Sequence, residues 1–390
     1  MKVAYLAENV GAVPQPWRIN SDALMRQTGL NIGNLAFWYG ARLLFDAELH
    51  LVGWHTKPNQ VPADVSALVI PAANFINESA DLSQLAELVR GLDRPVFLLG
   101  IGAQAESEDR PPQVKQGVID FLKEVSARTP TICVRGEFTA RVCEQLGITR
   151  TTVLGCPSIL INPRHDLGRE LARRISALSA GPLAIHASCV KHSLQSVERE
   201  LVRLARLNPG SSYVVQRPVE FIKAALGEPL NDEENRYLAQ CTKFMGFGAD
   251  QEAFTNFLST HLYAPDSVDG WLQYLRRFSA SVNTRIHGTV MSVTAGLPGL
   301  CITHDTRTRE LAQQLRVPHL DVRKYIESRY SLQELFAQSG FDGKAFDENR
   351  AQTAATYCGI IEALGLKPSG QLLALAAGPA SIPQSAALAA

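Results

Sequence analysis

PLAIHAS (Pro182–Ser188) is a short apolar run that follows a charged stretch of helical spacing, PRHDLGRELARRISALSAG (163–181). The charged stretch reads as a hinge and PLAIHAS as the first strand of a second unit. Before the hinge, KVAYLA (2–7), ELHLVGW (48–54), SALVIPAA (66–73), RPVFLLGIGA (94–103), PTICVRG (130–136) and TTVLGCP (151–157) alternate with NLAFWYGARLLFD (34–46), DLSQLAELVRGL (81–92), QVKQGVIDFLKEVSAR (113–128) and EFTARVCEQLG (137–147). The first set is apolar on both faces and bounded by Gly, Pro or charge, and the second has helical spacing. That alternation predicts a parallel sheet covered on both sides.

After the hinge the rhythm restarts. SVERELVRLARL (196–207), SSYVVQ (211–216), a helical region over 231–258, STHLYAP (259–265), SVDGWLQYLRRF (267–278), SASVNT (279–284), GTVMSVTAG (288–296), LPGLCITHD (297–305), TRELAQQL (308–315) and VPHLDV (317–322) follow in turn. The expected fold class is therefore α/β, with two Rossmann-like domains over 1–165 and 178–340 whose parallel sheets face a central cleft. A helix over 345–366 is expected to cross back and brace the first domain. The Ala-, Pro- and Ser-rich stretch 367–390 reads as a flexible tail.

Bulk composition agrees with a two-domain soluble enzyme. At 390 residues the chain exceeds what one core usually organises. Lys plus Arg equals Asp plus Glu at 38 each, so no global field draws nucleic acid or anionic lipid. The seven cysteines are scattered, odd in number and mostly within apolar segments, as expected of reduced thiols in a cytosolic protein. MKVAYLAENV at the start reads as a buried strand rather than a signal peptide, and no run approaches the length of a membrane span. Peripheral contact with lipid-linked material stays open.

Several segments carry chemistry. In TRIHG (284–288), Arg285 and His287 would share one strand face, with Ile286 opposite, and Gly288 would open a helix whose N-terminus lies beside them. An arginine, a histidine and a helix terminus suit an anion and a proton transfer; the alternative is a core histidine beside an interface ion pair. Asp305 or Thr306 should cap the next helix. Asp305 either orients His287 or accepts a hydroxyl proton, and Arg307 adds positive charge. In the first half, Asn31, Gly33 and Asn34 open a helix after a long loop (9–30) and offer amides for hydroxyl recognition; an ordinary Asn-capped loop is the alternative.

The segment GIGAQAESEDRPP (100–112) lacks the third glycine and the following helix of a dinucleotide fingerprint, so NAD binding is rejected. Arg135, at a strand-to-helix turn, meets an acidic ligand or pairs with Glu137 or Glu144. Cys156 reads as a structural thiol rather than a nucleophile because no base stands near it in sequence. His186, Lys191 and His192 follow the first strand of the second half as cleft-facing cations or, for His186, as a plain strand histidine. No spacing of His, Cys and carboxylates makes a metal site.

Together NIGNLAF (31–37), GIGAQ (100–104), VRGEFTARVCEQLG (134–147), VLGCPS (153–158), TRIHG (284–288) and AGLPGLCITHDTRTREL (295–311) resemble the polysaccharide pyruvyl transferase family over roughly residues 28–320. The most specific part is TRIHG followed by GLP. The resemblance implies a GT-B-like fold and an exopolysaccharide-type biosynthetic transferase. Its donor would be phosphoenolpyruvate, whose pyruvyl unit passes to two hydroxyls of one sugar in a polysaccharide or lipid-linked precursor, giving a ketal and phosphate.

It implies His287 as the acid/base and Arg285 with the Ile286 backbone as the donor grip; with the local readings above, Asp305 joins His287 as a catalytic residue. Arg285, the Ile286 backbone, Gly288, Arg135, His186, Lys191 and Arg307 would lie on the donor side, and Asn31, Gly33, Asn34 and Gln104 on the acceptor side. No metal or redox cofactor is called for, and the expected location is cytoplasmic, at the inner face of the membrane. The chain departs from the family where an arginine after the first strand of the second lobe is expected to hold phosphate; AIHASCVKH offers only His186 or Lys191 there. The alternatives are a GT-B glycosyltransferase that places Asp305 or Glu310 on the ribose of a nucleotide sugar, and a non-catalytic saccharide-binding protein.

Overall fold

Alternate residues of the first strands point into different cores. Val3 and Tyr5 join one apolar cluster and Ala4 and Leu6 another; Phe97 and Leu99 likewise part from Val96, Leu98 and Ile101. Apolar side chains on both faces leave a sheet no stable place except between helical layers. In the computed structural model, which describes residues 1–105, 107–327 and 331–378, β1 (Lys2–Leu6), β2 (Glu48–Val52), β3 (Val65–Pro71), β4 (Val96–Ile101), β5 (Ile132–Val134) and β6 (Thr151–Val153) form a parallel sheet in the order β2-β1-β3-β4-β5-β6.

The second sheet takes β7 (Leu183–Ala187), β8 (Ser212–Val215), β9 (Leu262–Tyr263), β10 (Ala280–Asn283), β11 (Gly299–Thr303) and β12 (His319–Asp321), also parallel, in the order β12-β11-β10-β7-β8-β9. Counted from β7, this is the Rossmann order 3-2-1-4-5-6. The chain is thus α/β with two Rossmann-like sheets, as the alternation of segments predicts. The order of the second sheet reverses between β7 and β10. Ligands of such sheets bind outside the carboxyl ends of the strands at that reversal, and TRIHG leaves β10 there while AIHAS leaves β7.

The lobes meet through specific bonds. Val13 N and Gly11 O pair with Asp266 O and Val268 N, and Ile32 N donates to Gln216 O. Ser21 donates to the Glu228 carboxylate. The helix Gly343–Ala363 returns across the first lobe, where buried Arg350 donates to the carbonyls of Ile159, Asn162 and Arg164. Two local expectations fail. The loop 9–30 contains the helix Ser21–Gln27, capped by Asn20. Part of the expected tail forms the helix Gly370–Ala377, capped by Ser369, whose N–H donates to Leu44 O. Residues 379–390 of that expectation lie outside the described ones.

Among the described residues all seven cysteines are free thiols and no helix is long and apolar enough to cross a membrane.

Candidate active site

The strand before TRIHG stops at Asn283, and Arg285 already caps the helix Ile286–Thr294. Arg285 and His287 are therefore not two residues on one strand face. Thr284 N and Arg285 N both donate to His186 O, which ends the ladder and turns the chain. The first-turn N–H groups of Ile286 and His287 have no acceptor within the helix and give the site its positive terminus. The helix comes this close because position 288 is glycine: a Cβ there would overlap the His186 side chain, with Cδ2 only 2.8 Å away.

Four guanidinium groups converge around this turn. Arg285 donates to Ala187 O at 3.2 Å and Ser188 O at 2.6 Å. Arg135, almost wholly buried, donates to Gly100 O at 2.7 Å and to Asn74 Oδ1 at 2.9 Å. Arg307 lies 3.5 Å from Asp305 Oδ2, and its buried Nε has no hydrogen bond among the described residues. Arg217 follows β8; burial and then Arg285 and Arg307 hold its guanidinium below the usual arginine range. Among the described residues only Arg307 of the four has a carboxylate within ion-pair distance. Arg135 does not pair with Glu137 or Glu144.

His287 sits within this field. Its Nε2 is 3.7 Å from Cys156 Sγ, and its ring lies 5.8 Å from that of Phe37. Its Nδ1 makes no hydrogen bond among the described residues. Burial first, then the charges of Arg135 and Arg307, push the imidazole down to about 3, so these surroundings hold it neutral. Cys156 does have a base beside it, contrary to the sequence reading. It is wholly buried and also contacts Ser158 Oγ at 2.9 Å, as befits a packing thiol.

His186 is not available to a ligand. It is wholly buried, its Nδ1 lies 2.6 Å from Asn283 Oδ1, and its Nε2 accepts from Trp271 Nε1 at 3.1 Å. Burial pushes it to about 3. Lys191 and Asp305 stand together at the mouth of the cleft, with Nζ and Oδ2 3.6 Å apart. Asp305 caps the helix Thr306–Gln314 through Thr308 N at 2.8 Å and does not contact His287. Burial opposes its ionisation, yet Arg307, His304 and the bonds from Thr308 hold it well below the usual carboxylate range.

The expected acceptor residues divide. Gln104 lines the same cleft mouth as Lys191 and Asp305. Gly33 lies against Gln216 of the second lobe, and Asn31 Oδ1 accepts from Gly33 N at 3.1 Å. The Asn34 amide is spent on Thr28 O and Gly29 O, which fixes the loop instead of offering donors to a sugar.

Two groups were missed in the sequence. Arg217 ends SSYVVQR at the same sheet edge, which its place after a buried strand could have signalled. Glu198 is wholly buried and accepts from Ser188 N at 2.9 Å, Cys189 N at 3.0 Å and Thr284 Oγ1 at 2.7 Å. It ties together the turns after β7 and β10. Its signal was a lone carboxylate within the apolar stripe Val197, Leu201, Val202 and Ala205.

Among the described residues no group of His, Cys, Asp and Glu is placed to hold a metal. The arrangement can bind a multiply charged anion against Arg285, Arg307, Arg217 and the helix terminus, beside an imidazole whose protonation responds to that anion.

A model of the family described as polysaccharide pyruvyl transferase matches residues 13–306. No curated protein matches the chain by sequence. Solved structures similar to it include a Methanocaldococcus jannaschii UDP-GlcNAc 2-epimerase in complex with UDP-GlcNAc and UDP, 9% identical over 89% of this chain and 98% of that one, with a TM-score of 0.39. Another is S. aureus MnaA with UDP, 8% identical over 94% and 99%, with a TM-score of 0.43.

Proposed function

The chain belongs to the polysaccharide pyruvyl transferase family, and on that premise we propose that it moves the pyruvyl unit of phosphoenolpyruvate onto two hydroxyls of one sugar. The observation that carries the reading is the meeting of four guanidinium groups and a helix N-terminus around a neutral His287, with Asp305 the one carboxylate in ion-pair reach of them among the described residues. Phosphoenolpyruvate brings a phosphate and a carboxylate on one small frame, and guanidinium forks match both.

Binding also prepares the acid. An anion seated between Arg135, Arg307 and His287 offsets the charges that depress the imidazole, so its proton affinity rises as the donor arrives. His287 then protonates the enol methylene, and C2 takes on oxocarbenium character. One sugar hydroxyl bonds to C2, the C2–O bond to phosphate breaks with its electron pair leaving on phosphate, and the second hydroxyl closes the ketal. Of the two hydroxyl protons, one replaces that given by His287 and the other leaves on phosphate. The second lobe is the donor side and the first faces the saccharide. This reading carries with it a cytoplasmic enzyme that meets a lipid-linked precursor at the inner face of the membrane.

Thermal-shift measurements with phosphoenolpyruvate, UDP and GDP test the donor. A ligand at 100 times its dissociation constant stabilises by about 2.7 kcal/mol. Stabilisation by phosphoenolpyruvate, followed by phosphate release when glycans are added, is expected. A protein stabilised by a nucleotide and not by phosphoenolpyruvate is a glycosyltransferase instead.

A further inference from the structure

Beside the arginine cluster, a cavity of about 1340 Å³ opens between the lobes. The first lobe lines it with Asn77, Ser79 and Gln104, and the second with Lys191, His304 and Asp305. His304 has no part in the chemistry described so far, yet its geometry is that of a base. Nδ1 lies 3.2 Å from Ile302 O. A carbonyl only accepts, so Nδ1 carries the hydrogen and Nε2 holds the lone pair. That Nε2 is buried and makes no hydrogen bond among the described residues.

The atom it faces is Asp305 Oδ2, 3.7 Å away, which is also buried without a hydrogen bond among the described residues. Two acceptors confront each other with no donor from the described residues between them. Lys191 Nζ at 3.6 Å and Arg307 Nη2 at 3.5 Å from that oxygen lend charge but stand beyond hydrogen-bond reach. A buried pair of this kind lacks a hydroxyl hydrogen.

We propose that this groove receives the acceptor saccharide and that His304 Nε2, with Asp305 beside it, takes the proton of the attacking sugar hydroxyl. The inference rests on the pyruvyl-transfer reading and adds the acceptor's place and its base. Topology fits it. His304 leaves β11 and His287 follows β10, strands that pair directly, with Asn283 opposite Cys301. Arg307 lowers the proton affinity of both imidazoles.

The step balances: the sugar O–H bond breaks, its electron pair forms the O–C2 bond, and the proton passes to Nε2 and from there to the departing phosphate, while the proton of the second hydroxyl returns to His287. Meanwhile the methylene gains the proton of His287 and phosphate departs with the C2–O pair. Burial lowers the basicity of His304, Asp305 and the Ile302 carbonyl oppose this, and Arg307 and Lys191 reinforce it. The ring is thereby neutral, as a base must be, at neutral pH.

The test uses the full chain, phosphoenolpyruvate and a panel of methyl hexopyranosides. His304→Gln should keep its thermal stabilisation by phosphoenolpyruvate and lose about 10²–10⁴-fold in turnover, with the acid limb of the pH–rate profile flattened. Because a buried change can disturb folding, Ser193→Trp, at an exposed position on the groove, gives a second reading. It should weaken saturation transfer from protein to sugar in NMR and raise the acceptor KM at least tenfold. Turnover of His304→Gln within tenfold of the parent overturns the base. Ser193→Trp with unchanged sugar binding overturns the groove. If the parent protein binds sugars but is neither stabilised by phosphoenolpyruvate nor turns it over, the donor reading fails and the base with it, while the groove stands.

Discussion

Glu310 of the second lobe accepts two hydrogen bonds from Thr139 of the first, from its backbone nitrogen at 3.0 Å and its hydroxyl at 2.7 Å. The carboxylate closes the N-terminus of the helix Glu137–Gln145 from across the cleft. Gly136 permits the approach, since a Cβ there would stand 2.7 Å from Glu310 Oε2. This bond and the one between Thr306 Oγ1 and Ala105 O set the distance between Arg135 and Arg307, one carried by each lobe.

Burial, opposed by the Thr139 bonds and by Arg135 and reinforced by Glu108, pushes the Glu310 carboxyl up to about 7. A carboxyl raised on folding contributes stability below its unfolded value near 4.5, and loses it as pH rises through 7. Glu310→Gln mimics the protonated form and should remove that loss. From pH 5 to 7 the parent protein is expected to weaken relative to the variant, on the order of 1.4 kcal/mol per pH unit at most. Urea unfolding at several pH values measures it, and a difference that does not change with pH would refute the linkage.

Gly288→Ala probes the packing beneath the site. The added methyl has no room against His186, whose ring is pinned by Asn283 and Trp271. The helix terminus must withdraw, at a cost of about 1–3 kcal/mol, and His287 moves with it. Denaturant unfolding should show the destabilisation, and assays should show a larger loss in kcat than in donor affinity. A variant as stable and active as the parent would mean that the turn beside His186 is looser than its distances indicate.

Fold and site were legible in the sequence to different depths. Periodicity announced both sheets because a strand buried on two faces has to be apolar throughout, and PLAIHAS marked the restart. Arg285, His287 and Arg307 were found because they stand just beyond strand ends, where packing ceases and side chains meet the cleft. His186 misled for the same reason in reverse. It is the last residue but one of β7 and points into the sheet's core, where Asn283 and Trp271 satisfy it. The Cys156–His287 contact joins residues 131 positions apart, and Glu310–Thr139 joins residues 171 apart. Pairings across lobes leave no local pattern.

Glu198 should matter through the turns it holds. Glu198→Ala leaves Ser188 N, Cys189 N and Thr284 Oγ1 without their buried acceptor, each costing about 1–3 kcal/mol before relaxation. Glu198→Gln keeps one accepting oxygen and should fall between Ala and the parent. Because Ser188 O and Ala187 O fix Arg285, both variants should also raise the phosphoenolpyruvate KM. Equal donor affinity in a folded Glu198→Gln protein would separate the carboxylate from the site.

Arg217 bears on the donor phosphate. The arginine expected after β7 is absent from AIHASCVKH, and His186 cannot replace it. Arg217 reaches the same edge from β8, and its carbonyl accepts from Ser188 Oγ at 2.5 Å. Its side chain stands at the rim of the anion site, open to solvent on one side and desolvated by the protein on the other, with no ion-pair partner among the described residues, so it contributes binding more than it supports the fold. Arg217→Ala should therefore leave the melting temperature of the free protein unchanged and raise the phosphoenolpyruvate KM about 10–100-fold, as loss of a charged hydrogen-bonded contact worth roughly 1.5–3 kcal/mol implies. Arg217→Lys keeps the charge but loses the planar fork and should recover only part of the affinity. If phosphate binds through this residue in the ground state, kcat changes less than KM. An unchanged KM in Arg217→Ala would return the phosphate to Arg285 and Arg307 alone.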